Sequence, residues 1–300
     1  MSSTLLSMVQ DAANELGLKA PSSVVGSSNA TSIQLLALFN RVGKQLYTED
    51  DWQFLFQEHR FQTVFYQYTG DVTAGSTTIS NLSSVTGLST DFMVTGTGLM
   101  QDTWITAVDT NSATLNIPSS QTATGVTFTF GQALYAVPSD YDRIVNKTEY
   151  NKTNRWSIIG PKSAQEWQWL KASYITTGPR MRFRIIDDKI ALWPMPTSAV
   201  TLGFEYVSNA WVTGSNGTKF TSDSDTCKFP DNLMVMGAKM RFLEAKGLDS
   251  SAEASYFQRE LSKFKAQNAG ADTLSMAPRT AGMMITQSNI PDSGFGRVTG

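Results

Sequence analysis

The chain has 300 residues, of which 41% are hydrophobic and only 17% are charged, and its formal net charge is −2. This length suffices for one large domain or two smaller ones with a substantial core. The lack of a basic excess argues against a protein that reads DNA electrostatically, and the low charge suits a subunit that covers much of its surface with neighbours.

Cysteine usage and hydropathy exclude further classes. Cys227 is the only cysteine, so an internal disulfide and a cysteine-based metal cluster are excluded. The N-terminus lacks the charged and apolar regions of a signal peptide, and no apolar run reaches the roughly 18 residues that a membrane span needs. We therefore expect synthesis in a reducing cytosol and no membrane partner.

Two amphipathic helices are predicted at the start of the chain, over about residues 4–16 and 32–50. In the second helix, apolar residues recur at helical spacing and line one face: Leu35, Leu38, Phe39, Val42 and Leu46. The alternating run over residues 61–65 then predicts a strand that enters a sheet.

A neutral stretch follows, because the chain has no lysine or arginine between Arg60 and Arg143. Short apolar runs separated by Asn, Gly and Ser predict strands at even spacing, over 77–79, 92–94, 103–108, 113–117 and 126–130. Such spacing favours a small sandwich or barrel. We predict an inserted all-β domain over residues 69–131, set into a host domain formed by 1–68 and 132–270.

The host part resumes with mixed composition. Ser163-Ala-Gln-Glu166 predicts a capping box for a short helix, and residues 181–193 predict a hairpin around Asp187-Asp188. Two helices over about 231–246 and 251–267 should pair antiparallel.

The predicted fold class is α+β. It combines a helical bundle from the N- and C-terminal helices, a β-rich middle, the inserted domain and an extended C-terminal tail over 271–300. The residues predicted for the core of the ring-forming helices are Leu35, Phe39, Val42, Leu46, Phe257, Leu261 and Phe264. The tail lacks periodicity, and its apolar residues are predicted anchors for a partner: Met283, Met284, Ile285, Ile290 and Phe295.

The residues show no catalytic constellation. His59 is the only histidine, so any triad has to rest on it alone, and its place between a helix end and a strand favours a structural role. The glycines of Val94-Thr-Gly-Thr-Gly-Leu99 lack the Lys-Ser/Thr and the helix of a phosphate loop. Asp50-Asp51 and Asp187-Asp188 fit helix ends and turns. We expect no enzyme activity, no cofactor and no metal.

Four features carry a family resemblance: helices ending in Trp52-Gln-Phe-Leu-Phe56, the run Phe61-Gln-Thr-Val64, Tyr135-Ala-Val-Pro-Ser-Asp-Tyr-Asp-Arg143 and Leu192-Trp-Pro-Met-Pro196. The third is similar to the pattern Tyr-x-Leu-Pro-x-Asp-Phe-x-Arg, with Val137 and Tyr141 as mild departures. In these features the chain resembles the head–tail connector, or adaptor, proteins of tailed bacteriophages. The neutral stretch, through Val94–Leu99 and Thr103-Trp-Ile105, resembles small β-domains inserted in phage structural proteins.

The resemblance implies a structural virion protein of the neck, assembled in the host bacterial cytoplasm. It implies a homo-oligomeric ring, a dodecamer of roughly twelve-fold symmetry, that contacts the portal protein and a further tail, nozzle or fibre protein. Double-stranded DNA would pass through the lumen without sequence-specific binding, and the C-terminal tail would dock on the portal.

Two alternatives stay open. One is a carbohydrate-binding or cell-wall-acting tail component, with Trp104 as the platform for a sugar. The other is a tail-tip or baseplate subunit. The remaining tryptophans, among them Trp156, Trp167, Trp169, Trp193 and Trp211, fit core packing and interface anchoring better than a sugar site.

Overall fold

The computed structural model describes residues 3–172, 180–214 and 217–268. This part of the chain contains five α-helices: α1 (Leu5–Glu15), α2 (Ala30–Glu49), α3 (Ala164–Ala172), α4 (Asp231–Ala245) and α5 (Ser251–Asn268). None of the helices in these residues is long and apolar enough to span a bilayer. With several antiparallel sheets between the helices, the fold is mixed α+β, as the sequence predicts.

The strands within the same residues pair into four sheets. They are β1 (Phe56–Gln62), β2 (Phe65–Val72), β3 (Thr78–Ser80), β4 (Phe92–Thr95), β5 (Ile105–Val108), β6 (Ala113–Leu115), β7 (Ala123–Gln132), β8 (Leu134–Ala136), β9 (Tyr141–Ile144), β10 (Tyr150–Asn151), β11 (Trp156–Ser157), β12 (Arg182–Ile186), β13 (Lys189–Trp193), β14 (Thr201–Ser208), β15 (Val212–Thr213) and β16 (Thr226–Cys227).

The central strand of the five-stranded sheet is β14. On one side, the whole of β1 pairs with residues 201–207 of β14. On the other side β9 and β10 share its edge, and β11 pairs with β10. Strands β12, β13 and β8 form a separate three-stranded sheet, and β15 pairs with β16.

Six strands form a small barrel in the order β4-β7-β2-β3-β6-β5. An antiparallel bridge between Met93 and Trp104 joins the first strand to the last, where Val94 N–H donates to the carbonyl oxygen of Thr103 at 2.9 Å. A barrel of this size is filled by its own side chains. Its buried interior includes Val72, Ile79, Phe92, Val94, Ile105, Leu115, Phe128 and Phe130.

The helices surround a second core, in which α4 contacts α1, α2 and α5. Lys239 pairs with Glu253, and a Cβ at Gly237 would lie 3.0 Å from the Phe257 ring. Because residue numbers run in opposite directions across these contacts, α4 and α5 are antiparallel, as predicted. Six of the seven predicted core residues are buried here, namely Leu35, Phe39, Val42, Leu46, Phe257 and Leu261, and Phe264 is partly buried.

One predicted strand is wrong. The run over 61–65 is divided between β1 and β2, which belong to different sheets. The break lies at Thr63, whose hydroxyl accepts the Val200 N–H at 2.8 Å and whose side chain is buried. Alternation in sequence detects extended backbone, but it does not show where a chain leaves one sheet for another.

The predicted hairpin is confirmed, and Asp187 and Asp188 both adopt positive φ, at 50° and 53°. Two such residues match the twist of a two-residue hairpin turn. The capping box of α3 is also present in part, since Glu166 N–H donates to Ser163 Oγ at 3.2 Å. At the start of α5 the Ser251 N–H donates to Asp249 Oδ1 at 2.9 Å.

Two sequence predictions concern chain segments rather than elements. The predicted docking tail, with Met283, Met284, Ile285, Ile290 and Phe295, lies outside the described residues. The barrel strands occupy residues 65–132, and the insertion of a domain over 69–131 into a host stays a prediction.

Candidate functional site

Several motifs of the family resemblance meet at a junction between the barrel and the rest of the chain, which we define as residues 63, 64, 131–135 and 193–200. Thr63 N–H donates to Val200 O at 2.9 Å, and Thr63 Oγ1 donates to Ser198 O at 2.9 Å. Val64 N–H donates to the Tyr135 hydroxyl at 2.9 Å, while Val64 O accepts from Gln132 N–H at 2.9 Å. The chain therefore enters and leaves the barrel at adjacent, hydrogen-bonded points.

Close packing reinforces the junction. The Tyr135 ring lies 4.7 Å from the Phe61 ring, between centroids. A Cβ at Gly131 would lie 2.3 Å from Pro196 O, so only glycine permits this approach of backbone to backbone. Met93 of the barrel packs in one buried cluster with Trp167, Trp193 and Met195.

The second half of the Tyr135–Arg143 motif anchors the loop before β9. The Asp140 carboxylate accepts from the Tyr206 hydroxyl at 2.9 Å and from Ser208 Oγ at 2.6 Å. Arg143 forms ion pairs with Asp142 and with Asp51, beyond the end of α2. The motif therefore connects β14 to the helical part of the chain.

The Trp52 motif closes the helical core. Trp52 Nε1 donates to Leu46 O at 2.7 Å. Its ring stacks on Phe264 at 4.6 Å and meets the edge of Phe229 at 5.7 Å. These contacts join the end of α2 to both ends of the final helical pair, since Phe229 precedes α4 and Phe264 lies in the last turns of α5.

The candidate catalytic side chains do not come together. His59 is half-buried against Phe61 and Phe204, and burial lowers its pKa. Cys227 is buried, and burial raises the pKa of its thiol to about 12, so the nucleophilic thiolate is disfavoured. Within the described ranges, no group of three or more His, Cys, Asp or Glu side chains could hold a metal ion.

The tryptophan side chains differ in how far they are exposed to solvent. Trp167, Trp193 and Trp211 are buried, whereas Trp156 is 42% and Trp169 is 63% exposed. The two exposed indoles are available to a partner.

Trp104 is half-buried at the seam between the barrel and α3. Its Nε1 donates to Asp102 Oδ1 at 2.6 Å, and Lys171 Nζ lies 5.7 Å from the ring centroid. Lys171 also pairs with Asp102 at 2.9 Å. These contacts give Trp104 a role in attaching the barrel to α3.

The sequence analysis did not predict one unusual side chain, the buried carboxyl of Glu149. Glu149 is only 4% exposed, and its Oε1 is buried without a hydrogen-bond partner in the described structure. It lies between the core around Phe204 and an open groove of about 540 Å³ that Lys147 and Tyr150 also line. Burial raises the pKa of this carboxyl. Its polar neighbours, Thr148 and Tyr150, carry no sequence signal of burial.

Comparison with known proteins identifies the family. No curated protein matches this chain. A family model described as "SU10 adaptor protein" matches residues 95–282, from within the barrel, through the junction and beyond α5. Because this match spans more than half of the chain, the chain belongs to the SU10 adaptor protein family, a family of phage adaptor proteins.

Proposed function

We propose that this phage adaptor forms a homo-oligomeric ring between the portal and the tail and that DNA passes through the lumen of the ring. Family membership carries the proposal. The low charge supports it, since an interface depleted in charged residues suits a subunit with several neighbours. On this proposal the protein is structural rather than enzymatic and needs no cofactor.

The burial of the predicted ring residues refines the proposal. Leu35, Phe39, Val42 and Leu46 are at most 1% exposed within a single chain, so they cannot also contact a neighbouring subunit. Ring contacts have to use exposed side chains instead. Ile33 on α2 and Tyr256 on α5, which are 53% and 49% exposed, are available for this purpose.

The alternatives gain less support. In the carbohydrate alternative, Trp104 would stack on a sugar, yet Lys171 already lies over its ring and Asp102 holds its Nε1. A tail-tip or baseplate position stays an alternative proposal. Family membership does not favour it over a position in the neck.

Reconstitution tests the ring. We expect the purified chain, mixed with the portal protein of its phage, to form a complex that electron microscopy shows as a ring stacked on the portal. Native mass spectrometry of the complex gives the copy number, with about twelve expected for portal-matched cyclic symmetry. A chain that stays monomeric beside an intact portal would contradict the proposal.

A truncation tests the docking tail. We propose that residues 271–300 anchor the chain on the portal, so deletion after Asp272 should abolish co-sedimentation with the portal while leaving the melting temperature unchanged. The matched pair is a Met283→Ser/Met284→Ser/Ile285→Ser variant, expected to lose binding, and a Thr286→Ala/Ser288→Ala variant, expected to retain it. Unchanged portal binding by the truncated chain would refute the role of the tail.

A further inference from the structure

The outer edge of the five-stranded sheet is open along β1. Thr63 N–H bonds to Val200 O, in register with the pairing of β1 and β14. Because hydrogen-bonding direction alternates along an antiparallel ladder, the N–H and C=O groups of Glu58, Arg60 and Gln62 point away from β14. Within the described residues these groups have no partner, and such an edge is a template for another strand.

The charges on this edge alternate in sign. Glu58 and Arg60 lie on one face of β1, with side chains 33% and 62% exposed, and they pair with each other at 2.5 Å. Lys152 approaches Glu58 from β10's side of the sheet at 2.7 Å. The edge therefore presents one acidic and one basic side chain, two residues apart, on either side of His59.

We propose that this edge binds the same edge of a second copy of the chain, as an antiparallel two-fold pair centred on His59. In this register Glu58 faces the partner subunit's Arg60, and the symmetry repeats the pair. A two-fold centre on Glu58 or on Arg60 would instead place like charges opposite each other, which destabilises a strand pair. Charge complementarity thus selects a second copy and one register.

The backbone geometry agrees with this register. Glu58 and Arg60 both turn their N–H and C=O groups outward, so each facing pair exchanges two hydrogen bonds, or about four across the dimer. The imidazole of His59 remains packed on Phe61 and Phe204, on the face opposite the charges. Pairing therefore requires no rearrangement of the core.

The inference concerns the unassembled protein. A two-fold contact joins identical patches, whereas a cyclic ring is built from head-to-tail contacts. The edge pair would accordingly open, or lie between two rings, when the adaptor assembles. Its test is independent of portal binding.

Sedimentation equilibrium of the full chain, from micromolar to millimolar concentration, tests the pairing. We expect a monomer–dimer equilibrium for the natural chain and a dissociation constant raised about tenfold or more by Arg60→Glu, which sets like charges opposite. The charge swap Glu58→Arg/Arg60→Glu should restore the dimer. Lys152→Ala removes one of the two intrachain partners of Glu58, keeps both charges of the edge and should leave the dimer intact.

A backbone variant provides a second arm. Arg60→Pro removes an outward N–H and no bond to β14, so the chain should keep its circular dichroism spectrum and become monomeric. A natural chain that is monomeric at every concentration would overturn the proposal, as would a dimer that survives both Arg60 variants. A third variant is a chain that ends at Asn268, a residue that contacts Gln53 just before β1. If this shortened chain loses the dimer, the dimer contact belongs to the C-terminal segment, and the proposal is overturned as well.

Discussion

Individual polar side chains in this protein act by holding segments together, and Asp140 shows this most directly. Its carboxylate accepts hydrogen bonds from Tyr206 and Ser208, whose side chains are almost fully buried. Glu149 is the opposite case, a buried carboxyl with an unpartnered oxygen. The first side chain stabilises the fold, and the second costs free energy whenever it is ionised.

Replacing Asp140 should destabilise the protein. Asp140→Ala removes the charged acceptor of both buried hydroxyls, which keep only the contacts of Tyr206 with Gln57 Oε1 and of Ser208 Oγ with the Ala210 N–H, each at 3.1 Å. The free energy of unfolding should therefore fall by about 2 kcal/mol. Urea denaturation measures it. Asp142→Ala, two residues along, removes a surface ion pair with Arg143 and a contact with the Tyr47 hydroxyl. It is the matched control and should change the value by about 1 kcal/mol or less. Equal losses in the two variants would contradict the anchoring role of Asp140.

Replacing Glu149 should stabilise the protein at high pH. Because burial raises its folded pKa above the unfolded value, its protonated form favours folding at low pH, and this stability is lost as pH rises past the unfolded pKa. Glu149→Gln removes that loss and should gain about 1 kcal/mol at pH 8. Thermal melts at pH 4 and pH 8 should show the gain at the higher pH only. A lower melting temperature for the variant at pH 8 would refute this account.

The elements pack through close approaches that depend on small residues. Gly43 on α2 faces Trp211, and a Cβ there would lie 2.1 Å from the ring. The ring itself is enclosed, because Phe220 meets it edge-on at 5.3 Å. Alanine at an open position of this helix would increase helix stability. At position 43 the contact with Trp211 permits only glycine.

Gly43→Ala should consequently destabilise the chain. Alanine in an open helix position gains up to about 1 kcal/mol over glycine, but overpacking a core costs about 1–3 kcal/mol, and the contact with Trp211 makes the cost dominate. Chemical denaturation should show a net loss. The double variant Gly43→Ala/Trp211→Leu, which makes room for the methyl group, should recover part of it relative to Trp211→Leu alone.

At the scale of the whole molecule, the barrel is joined to the rest at one junction and one seam. Val64 and Gln132 are hydrogen-bonded where the chain enters and leaves. The seam adds the ion pairs Lys171–Asp102 and Lys189–Asp91 and the apolar cluster around Trp193. Two covalent connections and a packed seam attach the barrel to the rest of the chain.

This arrangement predicts the outcome of removing the barrel. A chain in which a Gly-Gly link joins Val64 to Ala133 should still fold and unfold cooperatively, because a hydrogen bond holds Val64 next to Gln132 and two residues of roughly 3.6 Å each span that gap. Its melting temperature should fall, because Trp167 and Trp193 lose their contact with Met93. Calorimetry and one-dimensional NMR provide the measurement. A collapsed, dye-binding product without cooperative unfolding would contradict the predicted host and inserted domain.

The sequence by itself determined the features that depend on neighbours along the chain. Helical periodicity located α2, α4 and α5, the Asp187-Asp188 pair located a hairpin, and the Tyr135–Arg143 motif pointed to the adaptor family that residues 95–282 match. Only the tertiary structure decided how distant segments meet. It divided residues 61–65 between two sheets, closed the barrel through Met93 and Trp104, buried Glu149 and left the edge of β1 open. The reason is physical: local spacing reports which face of an element is apolar, whereas pairing such as Phe56 with Val207 depends on contacts between residues that sequence spacing does not relate.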